Sequence, residues 1–221
     1  MPTDPVTAPR PSITPQLLDS GVVAILRAAR HDHLEAAAQA LVQSGITCLE
    51  LTLTTPGALD SLRALRAMLD DDVALGIGSV IDAEQARASL DAGAGFLVSP
   101  GVCADVARVA GEHGIACYPG AWTPTEILAA WGLGAAAVKL FPAASGGPAH
   151  LRNIRAPLPD VPLVPTGGVA LEQIADYIAA GAVAVGLGSP LTGDALDGGS
   201  LAALGDRAAA ALAAVADGRA R

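Results

Sequence analysis

Eight short apolar runs, each followed by a helical pattern, divide this chain of 221 residues. Their apolar residues are nearly continuous, which is typical of parallel strands that helices cover on the outer face. Strands that alternate with helices in this way form a parallel sheet. The runs occupy residues 22–26, 47–53, 74–80, 95–101, 116–121, 135–142, 162–168 and 182–189.

The number of these units favours a closed (β/α)8 barrel, with an open, doubly wound sheet as the alternative. We predict a flexible tail over residues 1–12 and one barrel domain over residues 13–221, because barrels of this length are often undivided. A first helix is expected at about 13–20 and a long Ala-rich helix at 200–217. Connecting segments begin with capping residues or Pro, and several helices end in Gly. The starts are His31-Asp32, Thr55-Pro56, Asp82 and Thr123-Pro124, and the ends are Gly45, Gly93, Gly114 and Gly181.

Composition restricts the classes of partner. The net charge of −9, without a cluster of basic residues, argues against nucleic acid and anionic membranes. No apolar run is long enough to span a bilayer, and the N-terminus has no apolar signal segment. The three cysteines have no CxxC spacing, which fits a reducing cytoplasm. Of these, Cys48 and Cys117 are expected to be core residues.

The chain contains a single lysine, Lys139, and it lies inside the apolar run AAAVKLFP. A desolvated ammonium can lose its proton, and the neutral amine can then attack a carbonyl to form a Schiff base. The twelve arginines cannot do this, because a guanidinium stays protonated in proteins. The alternative is a structural lysine at a strand end whose ammonium reaches water.

Glu50 is the second unusual residue, since it lies in the strand-like segment CLELTL. Period-two alternation places it on one face with Cys48, Thr52 and Thr54. Burial inside a barrel would raise its pKa toward the range of a general acid or base. The alternative is an ion pair with Lys or Arg that fills the barrel.

Catalytic residues of such barrels lie at the carboxyl ends of the strands. Two glycine-rich segments, PTGGV (165–169) and GLGS (186–189), follow the seventh and eighth strands. Loops at these positions often bind phosphate through backbone N–H groups, although tight turns without a ligand remain the alternative. Polar candidates at strand ends are Arg27, Glu50, Thr52, Thr54, Ser79, Ser99, Lys139, Thr166 and Ser189.

Other chemistries find less support among these positions. Ser79 and Ser99 have no partner histidine at a strand end, which disfavours a Ser/His/Asp hydrolase. The four histidines share no metal-ligand spacing with a strand-end carboxylate, so no metal site is predicted.

Several segments together resemble the 2-keto-3-deoxy-6-phosphogluconate (KDPG) aldolase family, also called 4-hydroxy-2-oxoglutarate (KHG) aldolase, of class I. The resemblance covers about residues 13–215 and rests on segments in family order. They are VVAILRA, LELTLTTP, GIGSV, FLVSPG, YPGAWTPTE, VKLFPA, VPTGGV and VGLGS.

The resemblance implies roles for particular residues. Lys139 corresponds to the lysine that forms the Schiff base, and Glu50 to the proton carrier. Ser79 stands where the family usually has Thr, and Thr54 where some members have Arg, so carboxylate binding is expected to depend more on Arg27, Thr166 and backbone donors. The implied substrate-binding set is Arg27, Thr52, Thr54, Ser79, Pro100, Phe141 and Thr166, and the implied phosphate-binding set is Gly167, Gly168, Gly188 and Ser189.

The resemblance also implies an activity. It predicts cleavage of KDPG to pyruvate and glyceraldehyde 3-phosphate, as in the Entner-Doudoroff pathway, and of 4-hydroxy-2-oxoglutarate to pyruvate and glyoxylate. It further implies a homotrimer that requires no metal or other cofactor besides the lysine imine. Two alternatives remain, the galactonate epimer of KDPG as substrate, and a phosphosugar isomerase or binding barrel that forms no imine.

Overall fold

The computed structural model describes residues 10–221, so most of the predicted tail lies outside the described residues. Strands and helices alternate along this part of the chain. The strands are β1 (Val22–Leu26), β2 (Cys48–Thr52), β3 (Ala74–Gly78), β4 (Phe96–Ser99), β5 (Ala116–Ala121), β6 (Val138–Leu140), β7 (Leu163–Pro165) and β8 (Val185–Leu187). The helices are α1 (Pro15–Ser20), α2 (Leu34–Gln43), α3 (Ala58–Met68), α4 (Ala83–Asp91), α5 (Ala104–Glu112), α6 (Pro124–Gly132), α7 (Gly147–Arg155), α8 (Ile174–Ala179), α9 (Ser189–Thr192) and α10 (Leu201–Ala220).

The eight strands of the described residues form a parallel barrel. Each strand pairs with its neighbours in sequence, and β1 pairs with both β2 and β8. The seam between β7 and β8 is held by a bridge between Thr166 and Gly186 and by the Val183 N–H, which donates to the Leu163 carbonyl (3.1 Å). The predicted (β/α)8 barrel is therefore confirmed, and the open sheet is excluded, because a doubly wound sheet would not keep sequential strand order around a ring.

Four helices end just before the glycines that were predicted to terminate them. Glycine adopts the left-handed backbone that terminates a helix without a steric penalty, and these four have φ between 67° and 97°. Two predicted starts are also confirmed, since the Asp82 carboxylate accepts from the Gln85 N–H and Thr123 forms a capping box with Glu126. The four glycines are Gly45, Gly93, Gly114 and Gly181.

Two helix starts differ from the prediction. Helix α2 begins after His33 rather than at His31-Asp32, and α3 begins after Gly57 rather than at Thr55-Pro56. Neither of these N-cap residues makes a side-chain capping hydrogen bond. Both helices therefore begin through backbone geometry alone, which side-chain identity does not reveal.

An apolar layer fills the end of the barrel where the strands begin. We call it the lower layer, and it consists of Leu17, Val23, Phe96, Val98, Tyr118 and Val164. Helix α1 covers this end, because Leu17 packs into the layer and the Thr14 N–H donates to the Tyr118 hydroxyl (2.9 Å). Burial raises the pKa of Tyr118 to about 12, so its hydroxyl stays protonated.

The helices pack around the barrel through a second, larger apolar cluster. Cys48 and Cys117 are buried as predicted, and both tryptophans pack partly buried against this cluster. Arg10, within the predicted tail, donates to the Ala135 carbonyl (2.7 Å) and lies over the Trp131 ring (3.4 Å to the ring centroid). A search of the described helices finds none with the length and apolar character needed to cross a membrane.

Candidate active site

Lys139 lies at the centre of β6, between Gly120 of β5 and Val164 of β7 in register. Its side chain is mostly shielded, since the residue is 8% exposed, and Nζ lies 5.1 Å from the centroid of the Phe141 ring. It lines both an interior cavity of the barrel and a groove at the carboxyl ends of the strands. An amine in this position is shielded from bulk water yet can be reached from the groove.

Glu50 lies on β2 and is almost completely buried, at 2% exposure. Its Oε1 has no hydrogen-bond partner among the described groups. Desolvation raises the pKa of this carboxyl, and the positive charges of Lys139 and Arg27 act in the opposite direction. Glu50 therefore holds its proton more tightly than an exposed glutamate, as a general acid or base near neutral pH must.

Space for Glu50 comes from Gly78 on the neighbouring strand β3. A Cβ atom at position 78 would overlap the Glu50 carboxyl group. The space beside Gly78 is therefore occupied by the Glu50 side chain. Glu50 and Lys139 line the same interior cavity, together with Thr166.

The groove above this cavity is formed by the segments that follow β1, β6, β7 and β8. Thr166 and Lys139 line both spaces, so they connect the groove to Glu50. The predicted site residues that line the groove are Arg27, Lys139, Phe141, Thr166, Gly167, Gly168, Gly188 and Ser189.

The two glycine-rich loops lie side by side in this groove. Gly167 and Gly168 have φ of 89° and 72°, and the Ala144 N–H donates to the Gly167 carbonyl (3.0 Å), which ties this loop to the segment after β6. Gly188 and Ser189 border the same space from the end of β8. Backbone N–H groups at such loops are able to bind an anion.

Four predicted substrate-binding residues do not line the groove: Thr52, Thr54, Ser79 and Pro100. Ser79 is connected to it indirectly, because its Oγ accepts a hydrogen bond from Arg27 Nη2 (3.2 Å). Thr52 is buried, and its Oγ1 accepts from the Thr54 hydroxyl (3.1 Å). None of these four residues therefore lies in the groove wall, and Ser79 is connected to it through Arg27.

Thr55 was not predicted as a site residue, yet it connects two strands at this end of the barrel. Its buried Oγ1 accepts from the Ala28 N–H (3.0 Å), directly after Arg27, and lies 3.2 Å from the Thr52 hydroxyl. Its place before Pro56 made it a candidate helix-capping residue. No local pattern shows that a hydroxyl reaches a backbone group 27 residues away.

Within residues 10–221, no three His, Cys, Asp or Glu side chains lie close enough together to hold a metal ion. Three histidines are exposed, and the fourth, His150, stacks on Trp122 with its ring centroid 4.1 Å away.

Comparison with known proteins gives consistent results. The family described as "KDPG and KHG aldolase" matches residues 13–205. A probable 2-dehydro-3-deoxy-6-phosphogalactonate aldolase of Rhizobium meliloti is 36% identical over 89% of this chain and 92% of that protein. A 2-dehydro-3-deoxy-phosphogluconate aldolase of Pseudomonas aeruginosa is 40% identical over 64% of each chain.

A solved structure also resembles this fold. It is a KDPG aldolase from Legionella pneumophila in which pyruvate was captured as a covalent carbinolamine. The two structures superimpose with a TM-score of 0.79 at 29% identity, over 90% of this chain and 98% of that one.

Proposed function

The chain belongs to the KDPG and KHG aldolase family, and we propose that it cleaves KDPG to pyruvate and glyceraldehyde 3-phosphate through an imine on Lys139. Members of this family are aldolases, which are carbon-carbon lyases, and the chain is one of them. One observation carries the proposal: Lys139 and Glu50, both buried, line one cavity that joins a groove bordered by two glycine-rich loops.

In the first half of the proposed reaction, the neutral amine of Lys139 attacks the C2 ketone. The resulting carbinolamine loses water to give an iminium ion. The electrons of the C3–C4 bond then move into the iminium, which leaves an enamine on Lys139 and an aldehyde at C4. The position of Lys139 supports this step, because it lines both the buried cavity and the groove through which a ketone can reach its amine.

Glu50 acts on protons in this proposal. As the C3–C4 bond breaks, Glu50 takes the proton of the C4 hydroxyl through a water molecule, and it later returns a proton to C3 of the enamine. Hydrolysis of the new iminium then releases pyruvate and restores Lys139. The raised pKa of Glu50 supports this role, and a general acid or base contributes about 10²–10⁴-fold in rate.

Substrate binding is assigned by charge. Arg27 and Thr166 would hold the carboxylate end, with Ser79 supporting Arg27 through its hydrogen bond. The loops at Gly167-Gly168 and Gly188-Ser189 would hold the phosphate. We assign Thr52, Thr54, Pro100 and Phe141 supporting positions around these contacts.

The galactonate epimer of KDPG is a second candidate substrate. The Rhizobium meliloti relative named for it aligns over 92% of its own length, whereas the Pseudomonas aeruginosa relative aligns over 64%. The two substrates differ only in configuration at C4 and give the same products.

Pyruvate release from three substrates tests the proposal. KDPG, its C4 epimer and 4-hydroxy-2-oxoglutarate are each supplied, and pyruvate is measured with lactate dehydrogenase and NADH. We expect the highest kcat/KM with KDPG; a higher value with the epimer would reassign the substrate within the aldolases. Folded protein that releases pyruvate from none of the three would contradict the aldolase assignment and favour an isomerase or a binding barrel.

We also propose that the enzyme works without a metal, as a homotrimer, in the cytoplasm. Treatment with EDTA should leave the rate unchanged. Light scattering should give three times the 21.9 kDa mass of the chain. A cytoplasmic location agrees with three free cysteines, Cys48, Cys103 and Cys117, and cell fractionation tests it.

A further inference from the structure

Helix α10 holds one wall of the groove from outside the barrel. Arg207 on this helix donates from Nε to the Leu191 carbonyl (2.6 Å) and from Nη2 to the Thr192 carbonyl (2.8 Å). Gly193 leaves room for the guanidinium, since a Cβ atom there would lie 2.7 Å from Nη2. One side chain thus holds the carbonyls of Leu191 and Thr192 and lies against Gly193.

Two of these three residues form part of the groove wall. Thr192 and Gly193 line the groove, in the chain segment that continues from Gly188 and Ser189. Thr192 is buried, and its Oγ1 donates to the Gly188 carbonyl (3.4 Å). A shift of Thr192 would therefore be transmitted to Gly188, where we place the substrate phosphate.

The two hydrogen bonds from Arg207 restrict both the position and the orientation of the Leu191 and Thr192 carbonyl groups. A planar guanidinium with two donors in a fixed fork holds two carbonyl groups at once, which a single ammonium cannot do. The carbonyls that it holds belong to the last turn of α9, where backbone acceptors have no partner within the helix.

Arg219, also on α10, makes similar contacts away from the groove. It donates to the Asp19 carbonyl (3.0 Å) and to the Leu18 carbonyl, at the opposite end of the barrel. The two arginines share a helix and a type of interaction, and they differ in the segment that they hold.

We propose that Arg207 is a positioning residue for the distal, phosphate-bearing half of the substrate. This inference rests on the proposed function, because it assumes that the groove between Gly188 and Gly193 receives that half. The pyruvate half, which reacts at Lys139, lies outside the segment that Arg207 holds. Loss of Arg207 should therefore weaken binding of the phosphorylated substrate and leave pyruvate chemistry intact.

The variant Arg207→Gln and the matched control Arg219→Gln test this inference. For each we would measure kcat and KM for cleavage of the phosphorylated substrate, and separately the exchange of pyruvate methyl protons with D2O by NMR. Arg207→Gln should raise KM about tenfold, which corresponds to about 1.4 kcal/mol of binding free energy. Its pyruvate exchange rate should stay within about twofold of wild type, since the distal wall and Lys139 are separate sites. Arg219→Gln should change neither quantity, even where it lowers Tm.

A conservative variant separates positioning from a general loss of stability. Arg207→Lys retains a donor but not the fork, so its KM should lie between those of wild type and Arg207→Gln. If Arg207→Gln does not fold, Arg207→Lys compared with Arg219→Lys answers the same question. Equal KM changes in the two members of a pair, or pyruvate exchange that falls in parallel with cleavage, would overturn the inference.

The same data distinguish this inference from the proposed function. Wild-type protein that does not exchange pyruvate protons would contradict imine chemistry itself. Wild-type protein that exchanges them, together with an unchanged KM in Arg207→Gln, would contradict only the role of Arg207.

Discussion

The two ends of the barrel use the same strands and the same inward-facing rows, but they carry different side chains. At the lower layer the strands present Val23, Phe96 and Tyr118, and helix α1 covers them. At three other strands, an apolar residue near this layer is followed two positions later by a polar residue. Glu50 follows Cys48 in this way, Thr166 follows Val164, and Lys139 follows Ala137. Because side chains of a strand repeat their direction every two residues, each pair shares a face. A packed apolar layer and a polar cavity are therefore built from one backbone pattern.

Two glycines on β3 show how each end obtains its space. A Cβ atom at Gly76 would overlap the Phe96 ring, and one at Gly78 would overlap the Glu50 carboxyl group. In the lower layer the glycine admits a large apolar ring. At the other end, toward the groove, the glycine admits a carboxyl group whose Oε1 has no hydrogen-bond partner among the described residues. Burial of such a group costs free energy, which points to a role in function rather than in stability.

The largest effect should come from Lys139→Arg. The variant keeps the positive charge but has no amine that can form an imine, so turnover should fall by more than about 10⁴-fold. Steady-state pyruvate release measures it, and circular dichroism shows whether the fold is kept. Turnover near wild type would mean that Lys139 is a structural lysine.

Glu50→Gln should reduce turnover by about 10²–10⁴-fold, because the amide cannot exchange a proton with substrate. Cys48→Ala is the matched control, since Cys48 lies on the same strand and face but toward the lower layer, and it should retain turnover while losing stability. Normal turnover in Glu50→Gln would make Glu50 an ion-pair partner that only fills the barrel.

Gly76→Ala and Gly78→Ala compare the two ends directly. Both variants overpack the interior, which costs about 1–3 kcal/mol of unfolding free energy. Only Gly78→Ala displaces Glu50, so only it should also lower kcat, and by at least about tenfold. Urea unfolding and steady-state kinetics on both proteins provide the measurements. A similar loss of kcat in Gly76→Ala would show that the two ends are not functionally separate.

The smallest effect concerns stability and pH. Burial raises the pKa of Glu50 in the folded state above the ordinary 4.5. Between that value and the folded pKa, the unfolded chain binds fewer protons than the folded one, so rising pH destabilises the wild type through this group. Glu50→Gln lacks this contribution, so its Tm advantage over the wild type should increase from pH 5 to pH 8. An advantage that shrinks over this range would indicate that ionised Glu50 stabilises the fold through Lys139 and Arg27.

The sequence predicted the fold well because its signals are local. Continuous apolar runs mark the strands, and left-handed glycines mark the helix ends. Strand lengths were overestimated, as in the run 135–142, where only Val138–Leu140 is strand. Ala136 and Ala137 are buried although they do not belong to the strand. An apolar run therefore predicts which residues are buried better than it predicts which residues pair in the sheet.

The sequence identified most readily those site residues that are unusual by themselves. Lys139 and Glu50 stand out because a charged residue in an apolar run is costly. Thr55 and Arg207 act through hydrogen bonds from a side chain to a distant backbone group, and such a bond leaves no local pattern.

Reduction of the protein with borohydride in the presence of pyruvate tests the central claim most directly. Intact mass and peptide mapping would locate any adduct, with Lys139→Arg as the control. The account predicts one stable pyruvate-derived adduct on Lys139 in the wild type and none in the variant. A folded wild type without an adduct, or an adduct only at the N-terminal amine, would contradict imine chemistry at Lys139.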